Sequence, residues 1–161
     1  MDLNWLFGHI FSNGGLIVLL LIIPFLWKEG KRRLAVKTFI AFITTYILIE
    51  LIKYLIPTDR PFVALGMDVP LSLVQANDSF PSGHAGMAFV IATSVWLAKH
   101  RLGFAMLGVA VLVGIGRVLL WVHFPIDVIV GGVIGAAIAF VLSELFHTRK
   151  RRLRNGPGIH R

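Results

Sequence analysis

The sequence predicts an all-α polytopic membrane protein, a bundle of about five transmembrane helices in one domain. Three observations predict it. Hydrophobic residues make up 57% of the 161 positions and charged residues only 15%, where soluble domains carry roughly 45–50% and about 25%. Several apolar runs approach or exceed the roughly 18–20 residues that a helix needs to cross a bilayer. The basic residues lie in short segments beside those runs, which favours membrane orientation over the basic face of a nucleic-acid-binding protein. The chain has no cysteine, which excludes disulfides, thiolate chemistry and cysteine-based metal sites.

The first apolar run is Leu6–Trp27. It is weakened by Ser12-Asn13-Gly14-Gly15, which predicts a short interfacial helix followed by a brief span starting near Gly14. No basic start or small-residue cleavage site marks a secretory signal, so Met1 onward is read as mature chain. The second span is Leu34–Ile56, and the third, shorter one is Ala85–Ala98. The fourth is Leu102–Val122 and the fifth Ile126–Phe146. A polar loop, Pro57–His84, separates spans two and three and holds four of the seven prolines. Residues 1–147 are read as the membrane domain. Residues 148–161 are read as a basic cytoplasmic tail that ends in Asn-Gly-Pro-Gly and is expected to be disordered. Trp5, Trp27 and Trp121 near span ends suit interfacial anchoring.

Alternating loops put Lys28–Lys37, Lys99–Arg101 and the tail on one side, with 13 of the 16 Lys and Arg residues. The positive-inside rule makes that side cytoplasmic. The expected location is the plasma membrane, with the N-terminus outside and the C-terminus inside. The other three cations, Lys53, Arg60 and Arg117, fall at or near the outer face, and orientation does not explain them. An arginine in a span costs at least about 2.5–3.5 kcal/mol towards lipid, so Arg117 should face the bundle interior.

Two histidines and an acid share that face. His84 should open span three, and His123 should sit in the turn between spans four and five. Asp127 follows four residues later, in the first turn of span five behind Pro125. Singly, each residue has a plain structural role: a helix-end histidine, a snorkelling arginine, an N-terminal cap. Together they form a kit for phosphoryl transfer without a metal. Three cations can bind a phosphate's oxygens, arginine with a planar fork. Pro81-Ser82-Gly83-His84 leads into a helix N-terminus with free N–H groups, and Gly83 permits close backbone approach. Two histidines can divide the work of nucleophile and general acid. Glu50, three before Lys53, suits either a structural ion pair or tuning of the site.

Lys53-x6-Arg60-Pro61, Pro81-Ser82-Gly83-His84 and Arg117-x5-His123-x3-Asp127 together resemble the three-part signature of the type 2 phosphatidic acid phosphatase superfamily. These are integral-membrane lipid phosphatases whose site is shared with vanadium haloperoxidases. The resemblance spans Leu34 to about Phe146. It implies that Lys53, Arg60 and Arg117 bind the phosphoryl group, helped by Ser82 and the Gly83 backbone. It implies that His123 attacks phosphorus to give a phosphohistidine and that Asp127 orients its imidazole. His84 would protonate the leaving oxygen and then assist the attacking water, with no cofactor and no metal. Asp59-Arg60-Pro61-Phe62 and Ala76-Asn77-Asp78-Ser79-Phe80-Pro81-Ser82-Gly83-His84 look most like the bacitracin-resistance branch, the undecaprenyl-diphosphate phosphatases. One departure is Gly116, where the family usually carries serine. The short N-terminal region implies five helices where some relatives have six.

The expected partners are a lipid phosphate or diphosphate and the bilayer, with no nucleic acid. Undecaprenyl diphosphate is the expected substrate, with phosphatidylglycerol phosphate and phosphatidic acid as alternatives that present the same terminal phosphate on an apolar anchor. A metal-dependent membrane hydrolase with His84, His123 and Asp127 as ligands is a distant alternative, since three adjacent cations would repel the metal. A transporter is a third, although its charges would be expected at mid-membrane.

Overall fold

A chain in lipid must satisfy its own backbone hydrogen bonds, and helices do this within one segment. The computed structural model describes residues 3–67 and 78–154, except for the side chains of residues 4, 5 and 147–154. Among these residues there is no strand, and one isolated bridge pairs Thr58 with Asp78. The helices are α1 (Leu3–His9), α2 (Gly15–Leu20), α3 (Ile22–Lys28), α4 (Arg32–Leu55), α5 (Pro61–Ala64), α6 (Gly83–Leu97), α7 (Gly103–Leu119) and α8 (Pro125–Arg154).

The first segment corrects the expectation of an interfacial helix and a separate brief span. Ser12-Asn13-Gly14 does not break the helix. Residues Ile10–Gly14 widen into a π-helical turn between α1 and α2, and Leu6–Lys28 is continuous enough to cross a membrane. Polar and glycine residues weaken helix propensity, but packing against α7 holds the segment helical. Leu6–Lys28, Arg32–Leu55 and Pro125–Phe146 are the three stretches long and apolar enough to span. The other two apolar helices, α6 and α7, are shorter. At about 1.5 Å per residue α6 reaches only about 23 Å, against roughly 30 Å of hydrocarbon. The loop expected from Pro57 to His84 contains the short helix α5, with Pro61 at its first turn. Helix α8 runs on to Arg154, so the basic tail begins as helix, consistent with the preference of cations for a helix C-terminus. Its last residues, 155–161, lie outside the described residues.

Helix α6 sits at the centre, packed by α4, α7 and α8. Its Ala85, Ala88, Val90, Ile91, Ala92 and Val95 are fully buried. The outward faces are apolar instead: Ile47, Leu51, Phe104, Ile129 and Val133 are all exposed, as a lipid-facing surface requires. Small residues let α6 and α8 meet at their backbones. A Cβ on Gly131 would run into the Ser82 carbonyl oxygen, and one on Gly135 into that of Gly86.

The chain direction places all basic turns at one end. There Glu29 ties two turns together, meeting Lys31 Nζ at 2.8 Å, His100 Nε2 at 3.2 Å and Arg101 at 3.8 Å. The Lys31 and His100 contacts hold the Glu29 carboxyl below its ordinary range. The opposite end carries the ends of α4 and α7, the starts of α6 and α8, and α5.

Candidate active site

That opposite end gathers every site residue read from the sequence, and each is positioned by a helix terminus. His84 is the second residue of α6, behind Ser82 as its N-cap; the Ser82 hydroxyl accepts from the Ala85 N–H at 3.5 Å. The Ser82 N–H donates to the Asp127 carbonyl oxygen at 3.0 Å, which docks the start of α6 onto the start of α8. Arg117 lies in the last turn of α7 and is buried. His123 follows in the connecting turn, 2% exposed, and Asp127 is the third residue of α8.

Arg60 is held across the site. Its Nη1 donates to the Val122 carbonyl at 2.9 Å and lies 3.5 Å from His123 Nε2. A guanidinium only donates, so Nε2 is the accepting nitrogen and the ring proton belongs on Nδ1. Nδ1 faces Asp127 Oδ2 at 3.8 Å, beyond hydrogen-bond range, and has no other partner. Burial pushes the His123 imidazole down to about 4; Asp127 opposes the shift, while Arg117 and Arg60 reinforce it. His123 is therefore neutral at pH 7, with an unprotonated Nε2 turned towards Arg60. Burial also lowers Arg60, against the pull of Asp78 and Asp127.

Asp127 does double duty. Its Oδ2 accepts from the Phe124 N–H at 2.9 Å, capping the helix that carries it. The same oxygen accepts from the Ser79 hydroxyl at 2.6 Å, a buried contact. Ser79 in turn donates its N–H to the Thr58 carbonyl at 3.0 Å, and Phe80 N–H donates to the Thr58 hydroxyl at 2.9 Å. Replacing Ser79 with alanine removes a hydrogen bond to a carboxylate, worth roughly 1.5–3 kcal/mol. A fall in thermal midpoint of the purified protein, with activity reduced but not abolished, is the expected result. An unchanged midpoint would show that Asp127 needs no such support.

Lys53 completes the ring of cations. Its Nζ lies 3.2 Å from Asp78 and 3.4 Å from Glu50, and Arg60 Nη2 lies 3.7 Å from the same Asp78 oxygen. Glu50 therefore makes the ion pair that its spacing suggested. Electrostatically, His84 is within reach of Arg117, His123, Lys53 and Arg60. An apolar groove of about 570 Å³ opens sideways between α7 and α8, from Leu119 and Pro125 beside the His123 turn down to Val111 and Ala136.

Sequence reasoning missed three polar residues. Asp78 and Ser79 were visible only as letters around the Ser82-Gly83-His84 element. Ser12, fully buried, accepts a 3.1 Å hydrogen bond from Arg117 Nη1. For Ser12 a polar residue in an apolar run was a signal, whereas Asp78 and Ser79 lie in a polar loop where nothing singles them out.

Two histidines, an aspartate and three cations thus stand together at one end of a helical membrane bundle. The chain matches the PAP2 superfamily over residues 34–151 and belongs to it. It is 34% identical over 127 residues to the bacitracin transport permease protein BcrC of Bacillus licheniformis, covering 78% of this chain and 60% of that one. It is 32% identical over 122 residues to an undecaprenyl-diphosphatase of Sulfolobus acidocaldarius, covering 74% of this chain and 59% of that one. The chain thus spans about three fifths of the length of these relatives. The crystal structure of Aquifex aeolicus LpxE superposes with a TM-score of 0.74 at 29% identity, over 89% of this chain and 87% of that one.

Proposed function

We propose that this protein is an integral-membrane lipid phosphatase working through a phosphohistidine on His123, with undecaprenyl diphosphate as its substrate. One observation carries the reading: a buried, neutral histidine whose Nε2 faces Arg60, at the head of an apolar groove open to the side. In this reading Lys53, Arg60 and Arg117 take the phosphoryl oxygens, with the Ser82–Gly83 turn, and neutralise charge as the P–O bond breaks. His123 Nε2 attacks phosphorus and its Nδ1 proton turns to Asp127. His84 gives a proton to the departing oxygen and then takes one from water, which cleaves the P–N bond and releases phosphate.

The groove supports an apolar anchor on the substrate, and a relative named undecaprenyl-diphosphatase supports a polyprenyl one. Lys53, Arg60 and Arg117 at one site would repel a divalent ion, which supports a mechanism run by cations of the chain. The deciding assay measures phosphate release by purified protein in detergent from undecaprenyl diphosphate, phosphatidylglycerol phosphate and phosphatidic acid, with and without chelator. Undecaprenyl diphosphate should be preferred, EDTA should have no effect and vanadate should inhibit. Preference for either glycerolipid would replace the substrate, and activity that requires Zn²⁺ or Mg²⁺ would replace the mechanism.

The site is read as extracytoplasmic, because the basic turns lie at the opposite end. The absence of native cysteine makes a clean test. With single cysteines at Leu65 and Lys31, both exposed, an impermeant thiol reagent on intact cells should label position 65 and spare position 31. The reverse pattern would put the phosphatase on the cytoplasmic face.

A further inference from the structure

The π-helical turn at Ile10–Gly14 lies outside the three sequence elements of the site, yet it reaches the site. A π-turn adds a residue to a helical turn and is found frequently at functional positions. Here it carries Ser12, fully buried, to Arg117, 105 positions away in sequence. Glycines make the approach possible. A Cβ on Gly116 would lie 2.7 Å from the Ser12 nitrogen and 2.8 Å from the Gly8 carbonyl oxygen. A Cβ on Gly8 would meet Leu120 at 2.7 Å, and one on Gly15 would meet Val113 at 2.8 Å.

The three cations of the site are held in different ways. Lys53 is held by carboxylates, which compete with a phosphate for its charge. Arg117 meets a hydroxyl, a neutral acceptor. Its Nε is buried without a hydrogen-bond partner, so the guanidinium keeps donors available while one Nη is anchored. A neutral anchor fixes the plane of the fork without quenching its charge, and bidentate recognition depends on that plane.

We infer that Ser12 is a positioning residue for Arg117, a fourth sequence element of the active site supplied by the first helix. The inference rests on the phosphatase reading, in which Arg117 binds the transferring phosphoryl group. Ser12 touches no reacting atom; it orients the group that does.

The test uses the full-length protein in detergent. Ser12→Ala should lower kcat/KM about tenfold, the worth of one charge-assisted hydrogen bond, and weaken vanadate inhibition by a similar factor. Ser12→Cys, close in volume and a poor acceptor, should behave alike and guards against a packing defect in the alanine variant. The decisive readout is coupling. In an Arg117→Lys background, which has no planar fork to hold, Ser12→Ala should cost less than about threefold. A tenfold loss in both backgrounds would make Ser12 a helix-packing residue and overturn the inference, as would both single variants within twofold of wild type. A wild-type protein that releases no phosphate from any lipid would instead overturn the phosphatase reading, and the role of Ser12 with it.

Discussion

Replacing His123 with alanine is expected to lower kcat by at least about ten-thousand-fold, the scale seen when a covalent nucleophile is removed. The loss should be the same for every phosphate ester, because a nucleophile is needed whatever group departs. His123 is buried between the ends of α7 and α8, and Arg60 is held by the Val122 carbonyl as well as by the ring. The cation should therefore stay in place when the ring is gone, and the protein should fold. Rapid quench with a labelled substrate should trap no phosphoenzyme in this variant. Residual turnover above one part in a thousand, or label retained on the protein, would move the nucleophile elsewhere.

His84→Ala should fail differently. A general acid contributes roughly a hundred- to ten-thousand-fold, and most where the departing oxygen is strongly basic. A lipid alkoxide needs the proton badly, a nitrophenolate hardly at all, and a leaving phosphate lies between them. The variant should lose most activity on a lipid monophosphate and retain relatively more phosphorylation by p-nitrophenyl phosphate. In the proposed mechanism His84 also serves the water step, so phosphohistidine on His123 should accumulate as acid-labile, base-stable label. Equal losses across leaving groups without trapped label would remove the division of labour between the two histidines.

The parts of this molecule legible in its sequence are those written locally. Long apolar runs gave helices, and the basic turns fell at one end of the bundle as their alternation required. Lys53, Arg60, His84, Arg117, His123 and Asp127 converge because each sits at a helix terminus or in a loop on the same face. What escaped was contact across the chain. Ser79 meets Asp127 over 48 positions and Ser12 meets Arg117 over 105. The polar Ser12-Asn13-Gly14 stretch reads as a helix break because propensity weighs residues singly, whereas burial against α7 decides its conformation. Helix α5 was hidden in a proline-rich loop, where Pro61 starts a helix instead of ending one.

The union of α6 with α8 has a thermal consequence. Gly131 lies over the Ser82 carbonyl and Gly135 over that of Gly86, while the Ser82 amide is bonded to Asp127. The turns that present His84 and His123 are thus fastened main chain to main chain, with no flexible side chain as a spacer. A joint of that kind has no partly slackened state in which the bundle survives and the two imidazoles drift apart. On heating, the ability to turn over substrate and the helical fold should disappear in one transition, with no warm, folded and idle form between them.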